Sequence, residues 1–245
     1  MNRRWLMVAG IAVVGVTALW FFFLRSDNPD RVSLDDAVEA VTGATAAGDP
    51  AGTLPDATDE PNGEVPVDAG LDGTWTVLSD ENSFAGYRVG EELVGIGVTE
   101  AVGRTSAVTG TLELEGSTLT AVDIEVDMTS LRSDDTRRDG AMSRQALQTG
   151  AFPVAGFSLT QTIDLGSIPE EGQPINAVAI GDLTLHGVTQ NLEIALEAQL
   201  VGDKIVVIGG AAIVYGDFEI SLPSAPILVG VEEHGLIEFQ LTFAR

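Results

Sequence analysis

Val122-Asp123-Ile124-Glu125-Val126-Asp127-Met128 alternates apolar and acidic positions without a break. This is the period of a β-strand with one face in a core and the other in water. Leu192 to Glu197 and Ile237 to Phe243 repeat the pattern, and Thr111 to Glu115 carries it more briefly. One-sided alternation predicts antiparallel pairing, because parallel strands are as a rule buried on both faces. Further strands are expected at 75–79, 84–89, 93–103, 154–164, 177–185 and 204–214. Turn signals separate the strands: Glu115-Gly116-Ser117, Glu170-Glu171-Gly172, and Gly202-Asp203, a hairpin candidate. The fold class is therefore all-β, an antiparallel barrel of about eight strands. Asp134 to Thr149 departs from the period, and its Ala, Met, Arg and Gln content predicts one helix lying across an end.

The N-terminal third is patterned differently. Trp5 to Leu24 is a run of twenty residues without a charge, long enough as a helix to span the ~30 Å of a bilayer core. Arg3 and Arg4 precede it, whereas Arg25 is soon followed by Asp27 and Asp30, so the positive-inside rule places the later residues outside the cytoplasm. The run ends in Trp20-Phe21-Phe22-Phe23-Leu24 rather than in small residues, which favours a retained anchor over a cleaved signal peptide. Residues 1–25 are thus expected to be a transmembrane anchor and 26–72 an acidic flexible linker, with 73–245 the barrel. The expected location is the cell membrane, crossed once, with the C-terminal domain extracytoplasmic. From Ser26 to Asp72 twelve acidic residues face a single Arg31, and such a stretch holds too little apolar surface to order itself. One exception is Ser33-x-x-Asp36 ahead of Ala37, Val38 and Val41, which could cap a short amphipathic helix. A transient helix in a solvated linker is the expectation, and docking on the barrel or recruitment of a partner the alternative.

A net charge of −25, with Lys204 the only lysine, opposes binding to nucleic acid or to an anionic membrane face. The chain has no cysteine, so it has no thiol nucleophile and no thiolate metal site. Neither histidine, His186 or His234, stands in a metal-ligand spacing, and there is no Gly-x-Ser-x-Gly elbow. No metal, cofactor or catalytic residue is expected. His186-Gly187 reads as a hairpin turn in which Gly187 takes a positive φ. The acidic pairs Glu91-Glu92, Asp134-Asp135, Glu170-Glu171 and Glu232-Glu233 read as solvated surface. Four of the eight basic residues from position 73 onward are Arg132, Arg137, Arg138 and Arg144. Two readings of this cluster remain open: Arg137 and Arg138 hold a lipid head group by charge-assisted hydrogen bonds, or Asp134, Asp135 and Asp139 neutralise them.

Two motifs carry a family likeness: Arg138-Asp139-Gly140, opening a stretch that ends in Ala151-Phe152-Pro153, and Gly181-Asp182-Leu183-Thr184-Leu185-His186-Gly187-Val188-Thr189. With Tyr215-Gly216-Asp217-Phe218-Glu219-Ile220 and Ile237-Glu238-Phe239-Gln240-Leu241, they make residues 73 to 245 resemble the YceI-like family of lipocalin-like barrels associated with polyisoprenoid binding. Phe84-Ala85-Gly86-Tyr87-Arg88-Val89 stands where many soluble members have a histidine-containing strand, so no role of that histidine transfers. The resemblance implies a non-enzymatic barrel that binds, sequesters or transports a long isoprenoid lipid, a polyprenyl phosphate or a quinone. On this reading Val122, Ile124, Val126, Phe157, Leu159, Leu183 and Leu185 line the ligand site. Ile194, Leu196, Phe239 and Leu241 complete the apolar wall, and Arg137 and Arg138 stand ready for the head. The other reading of the same residues is a filled core, in a structural or interaction domain of the cell envelope.

Overall fold

The computed structural model describes residues 28–46, 70–79 and 82–245. A helix, α1 (Leu34–Ala46), comes first, followed by strands β1 (Gly73–Val77), β2 (Phe84–Leu93), β3 (Gly97–Thr105), β4 (Val108–Glu115) and β5 (Thr118–Asp127). The short strand β6 (Arg132–Ser133) leads into a second helix, α2 (Thr136–Ala141), continued by a π-helical turn over Met142–Ala146. Then come β7 (Val154–Leu159), β8 (Ile163–Asp164), β9 (Pro174–Leu185), β10 (Val188–Val201), β11 (Lys204–Val214), β12 (Leu228–Val231) and β13 (His234–Ala244).

Eight strands close a ring in the order β1-β4-β5-β7-β9-β10-β11-β13, and every pairing in it is antiparallel. Closure is made where Thr76 lies opposite Ala244 and Val77 opposite Phe243. Above β1 the same edge of β13 pairs with β2, which pairs in turn with β3, so β2 and β3 raise the wall at one end of the barrel. The expected all-β antiparallel barrel of about eight strands is what forms. The hairpins fall where the turn chemistry puts them. Leu185 faces Val188 across His186 (φ 53°) and Gly187 (φ 76°), both positive as a type I′ turn requires. Val201 faces Lys204 across Gly202-Asp203.

Several features differ from the sequence reading, and the strand expected at 154–164 breaks after Leu159 into β7 and β8. Residues 93–103 hold a hairpin rather than one strand, because Gly95 and Gly97 take positive φ and turn β2 into β3. The helix expected from Asp134 to Thr149 is two short pieces; Asp135 caps α2 by accepting from the Arg137 amide at 2.7 Å. The helix near Ser33 is docked, not transient. Ser33 Oγ accepts from the Asp36 amide at 3.2 Å, and Leu34, Ala37 and Val41, on one face of α1, pack on Val206 and Ile208 of the outer face of β11. The acidic stretch is thus not wholly a tether, since burial of these apolar side chains offsets the cost of ordering residues 28–46.

Ahead of α1 the chain crosses the outer face of β2, β3 and β13. Arg88 donates to the carbonyls of Pro29 (2.6 Å) and Asp30 (2.5 Å), to Glu238 at 2.6 Å and to Glu100 at 2.9 Å. Arg104 bonds the other Glu238 oxygen at 2.7 Å and the Asp30 carbonyl at 2.8 Å. Glu238, only 2% exposed, lies under this strap. Trp5–Leu24 lies outside the described residues; among those described, no helix is long and apolar enough to cross a membrane.

Candidate functional site

The inward positions of the strands leave the middle of the barrel unfilled. A cavity of about 230 Å³ runs through it, and a second of about 80 Å³ lies toward the end formed by the β4–β5 and β10–β11 turns. Both far exceed the ~15 Å³ that holds one water. Leu112, Leu119, Leu196 and Val207 line both cavities, so these residues form a waist between two compartments of one lumen. Below the waist Trp75, Leu114, Ile205 and Phe243 belong to a packed cluster. At the opposite end, under α2 and the 219–227 loop, the larger cavity reaches Ser221 and Leu222, both exposed, so it opens there.

Aromatic rings keep the wall thin. Tyr87 lies against Gly103 directly across the strand pair, Phe239 lies against Gly209, and Phe157 lies against Gly181. In each case a Cβ on the glycine would come within 2.6 Å of the ring. The rings therefore occupy the space of missing side chains on the neighbouring strand and lie along the wall. Alanine at these positions would push them into the lumen.

Of the residues singled out in the sequence, Val122, Ile124, Val126, Phe157, Leu183, Leu185, Ile194, Leu196, Phe239 and Leu241 line the larger cavity, as does Arg138. Leu159 has the inward parity of Phe157 but lines neither cavity. Arg137 points away from the lumen, with its side chain 83% exposed, and pairs with Asp135 at 2.8 Å. That pairing holds the Asp135 carboxyl down at about 2. Arg138 donates to Glu91 at 2.6 Å and to Asp134. Asp139 makes no pair with either arginine; it accepts from the Ser133 amide at 2.8 Å and from its hydroxyl at 2.7 Å.

Glu91 corrects the reading of its acidic pair. The alternation of β2 carries on through Tyr87, Val89 and Glu91, so Glu91 is buried on the lumen side while Glu92 is exposed. That alternation, followed two residues further along the chain, was the signal available. Tyr87 and Tyr215 also line the mouth and were not anticipated. Burial raises the hydroxyl of Tyr215 to about 12 and that of Tyr87 further still, so both phenols are neutral donors at physiological pH. Apart from these tyrosines, Glu91, Arg138, Ser221 and Glu238, which is paired with Arg88 and Arg104, the wall is almost wholly apolar.

His186 is buried beside the lumen rather than in it. One ring nitrogen, Nδ1, lies 3.1 Å from the Phe218 carbonyl and the ring is 4.4 Å from that of Phe152, while Nε2 has no hydrogen-bond partner. His234 is exposed, 3.7 Å from Glu232. Among the described residues no three His, Cys, Asp or Glu side chains are gathered as metal ligands.

Comparison with known proteins accords with this architecture. Residues 75–243 match the sequence profile of the YceI-like domain. A UPF0312 protein of Vibrio campbellii is 33% identical over 122 residues, 46% of this chain and 60% of the relative. A second, from Vibrio vulnificus, is 28% identical over 148 residues, 57% of this chain and 75% of the relative. The chain thus spans about 60% of the length of the first of these relatives. Among solved structures, a polyisoprenoid binding domain from Saccharophagus degradans, implicated in plant cell wall breakdown, superposes with a TM-score of 0.56 at 17% identity. That match covers 69% of this chain and 97% of the other, and it concerns the fold.

Proposed function

This chain belongs to the YceI-like family, and from that membership and its open apolar lumen we propose that it binds a long isoprenoid lipid with the chain in the lumen and the head at the mouth. The observation that carries the reading is the larger cavity itself, which is walled almost wholly by apolar side chains and open at one end, with a second apolar cavity beyond the waist. The Saccharophagus domain that shares the fold is described as polyisoprenoid binding, which supports the same ligand class here. Burying one isoprene unit gains about 4 kcal/mol gross at roughly 0.8 kcal/mol per carbon, against an association cost on the order of 4–15 kcal/mol. Several units are needed, so the lumen selects long chains.

The mouth favours a head without charge. Arg138 already faces two carboxylates, Glu91 and Asp134, and an anionic head would have to displace one of them. Tyr87 and Tyr215 offer neutral hydroxyls suited to a carbonyl or hydroxyl oxygen, which favours a quinone-like lipid over a polyprenyl phosphate. With Trp5–Leu24 as a membrane anchor, the barrel works outside the cytoplasm, taking lipid from the bilayer and holding or ferrying it without a reaction. Native mass spectrometry of the full chain purified in mild detergent, followed by titration with neutral and phosphorylated isoprenoids of increasing length, tests this. Affinity is expected to rise steeply beyond a threshold length and to favour neutral heads; a flat length series would sink the proposal.

A further inference from the structure

The barrel carries an uncharged apolar tip beside its mouth. Leu93-Val94-Gly95-Ile96-Gly97-Val98-Thr99, at the β2–β3 turn, contains no charged residue, and neither does Leu222-Pro223-Ser224-Ala225-Pro226-Ile227-Leu228-Val229-Gly230. The two segments are bonded side by side: Leu228 lies opposite Leu93, and the Val94 amide donates to the Ile227 carbonyl at 2.8 Å. Val94, Ile96, Val98, Leu222, Ile227 and Val229 are all exposed, with Val98 at 82%. In a chain of net charge −25 such a surface is an exception, and contiguous exposed apolar surface marks a contact with protein or lipid.

We propose that this tip seats the mouth of the barrel in the interfacial layer of a zwitterionic lipid bilayer. Three observations select lipid as the occupant. The mouth opens within the tip, since Leu222 lines the cavity, so a lipid chain could pass from the bilayer into the lumen without crossing water. The apolar run ending at Leu24 is separated by three residues from Asn28, whose side-chain amide donates to the Glu100 carbonyl, two positions from Val98. Four Cα steps span at most about 15 Å, so an anchor at 5–24 holds this end of the barrel, and not the far end, against the membrane. Glu92, Glu232 and Glu233 follow or precede the tip strands, and with the overall negative charge they repel anionic lipid, which leaves a zwitterionic surface. The inference shares the premise of membrane residence with the function proposed above but does not depend on the ligand of the lumen.

The absence of cysteine makes a direct test possible. Single substitutions Ile96→Cys and Val229→Cys at the tip, and Asp203→Cys at the opposite end, each carry a polarity-sensitive fluorophore on the full chain reconstituted in phosphatidylcholine vesicles. Nitroxides on the lipid acyl chains are expected to quench the labels at 96 and 229 several-fold more than the label at 203. Adding Val98→Asp should weaken the tip quenching about tenfold through the lost burial of one aliphatic side chain. Equal, weak quenching at all three positions in chains that remain with the vesicles would overturn the tip contact and leave the anchor standing. Chains that leave the vesicles but still show tip quenching on added phosphatidylcholine would overturn the anchor and leave the tip contact standing. A blue shift at 96 that appears without lipid and grows with protein concentration would mean self-association, and would overturn the proposal.

Discussion

The ring of Phe157 lies where Gly181 has no side chain: a Cβ on Gly181 would stand 2.3 Å from the ring's Cζ and 2.6 Å from the Ser158 carbonyl oxygen. Real carbon atoms do not approach so closely, so Gly181→Ala must tilt the ring into the lumen and shift β7. Overpacking of this kind costs about 1–3 kcal/mol. We expect a lowered urea midpoint with an unchanged slope, together with a loss of the longest isoprenoids from the bound series. A variant that keeps full stability and full ligand length would show that Phe157 does not set the bore.

Gly103 offers a cleaner version of the same relationship, because the three atoms nearest an added Cβ all belong to the Tyr87 side chain, with Cε1 at 2.4 Å. Gly103→Ala alone should cost about 1–3 kcal/mol. In the Tyr87→Ala background the clash is gone and the cost of the added methyl should fall close to zero. A double-mutant cycle with a coupling of at least about 1 kcal/mol is the expected result; strict additivity would mean that the ring yields freely.

The barrel was legible in the chain because its strands have one wet face, and a two-residue period survives any detail of packing. The inward set from Val122 to Leu241 follows from that period and from the turns at Gly187 and Gly202. What the period cannot reveal is whether the inward side chains meet. That depends on Gly103, Gly181 and Gly209, whose missing Cβ atoms let three rings lie flat against the wall. Nor does local sequence show that α1 docks: its apolar stripe is short, and its partners Val206 and Ile208 lie far along the chain. The pair Glu91-Glu92 reads as solvated surface, yet adjacent residues on a strand face opposite ways, and only Glu92 is exposed.

The strap ahead of α1 rests on Glu238, buried with Arg88 and paired also with the half-buried Arg104. Removing one member of a buried ion pair leaves an uncompensated charge and costs about 3–5 kcal/mol. Glu238→Ala should lose about that much in urea denaturation. Glu238→Gln, which keeps an acceptor in place, should lose less. Arg88 also binds the Pro29 and Asp30 carbonyls, so amide exchange in residues 28–46 should quicken in both variants before the barrel itself opens. Unchanged protection of α1 would detach the strap from this network.

Asp135, the N-cap of α2, makes that helix sensitive to pH. The Arg137 side chain, bonded to it at 2.8 Å, lowers its carboxyl from 3.8 to about 2, so the folded protein prefers the ionised form more strongly than the unfolded chain does. The resulting stabilisation of α2 is complete above about pH 4 and disappears as pH falls toward 2. Carbon-detected NMR of the Asp135 carboxyl should show a midpoint near 2, and Arg137→Ala should move that midpoint back up toward 3.8. Asn at this position remains a good N-cap, so Asp135→Asn isolates the charge from the cap hydrogen bond. The wild-type chain should melt higher than this variant at pH 6, and the difference should close between about pH 4 and pH 2. A midpoint near 3.8 in the wild-type chain, unmoved by Arg137→Ala, would show that the pair carries no weight in α2.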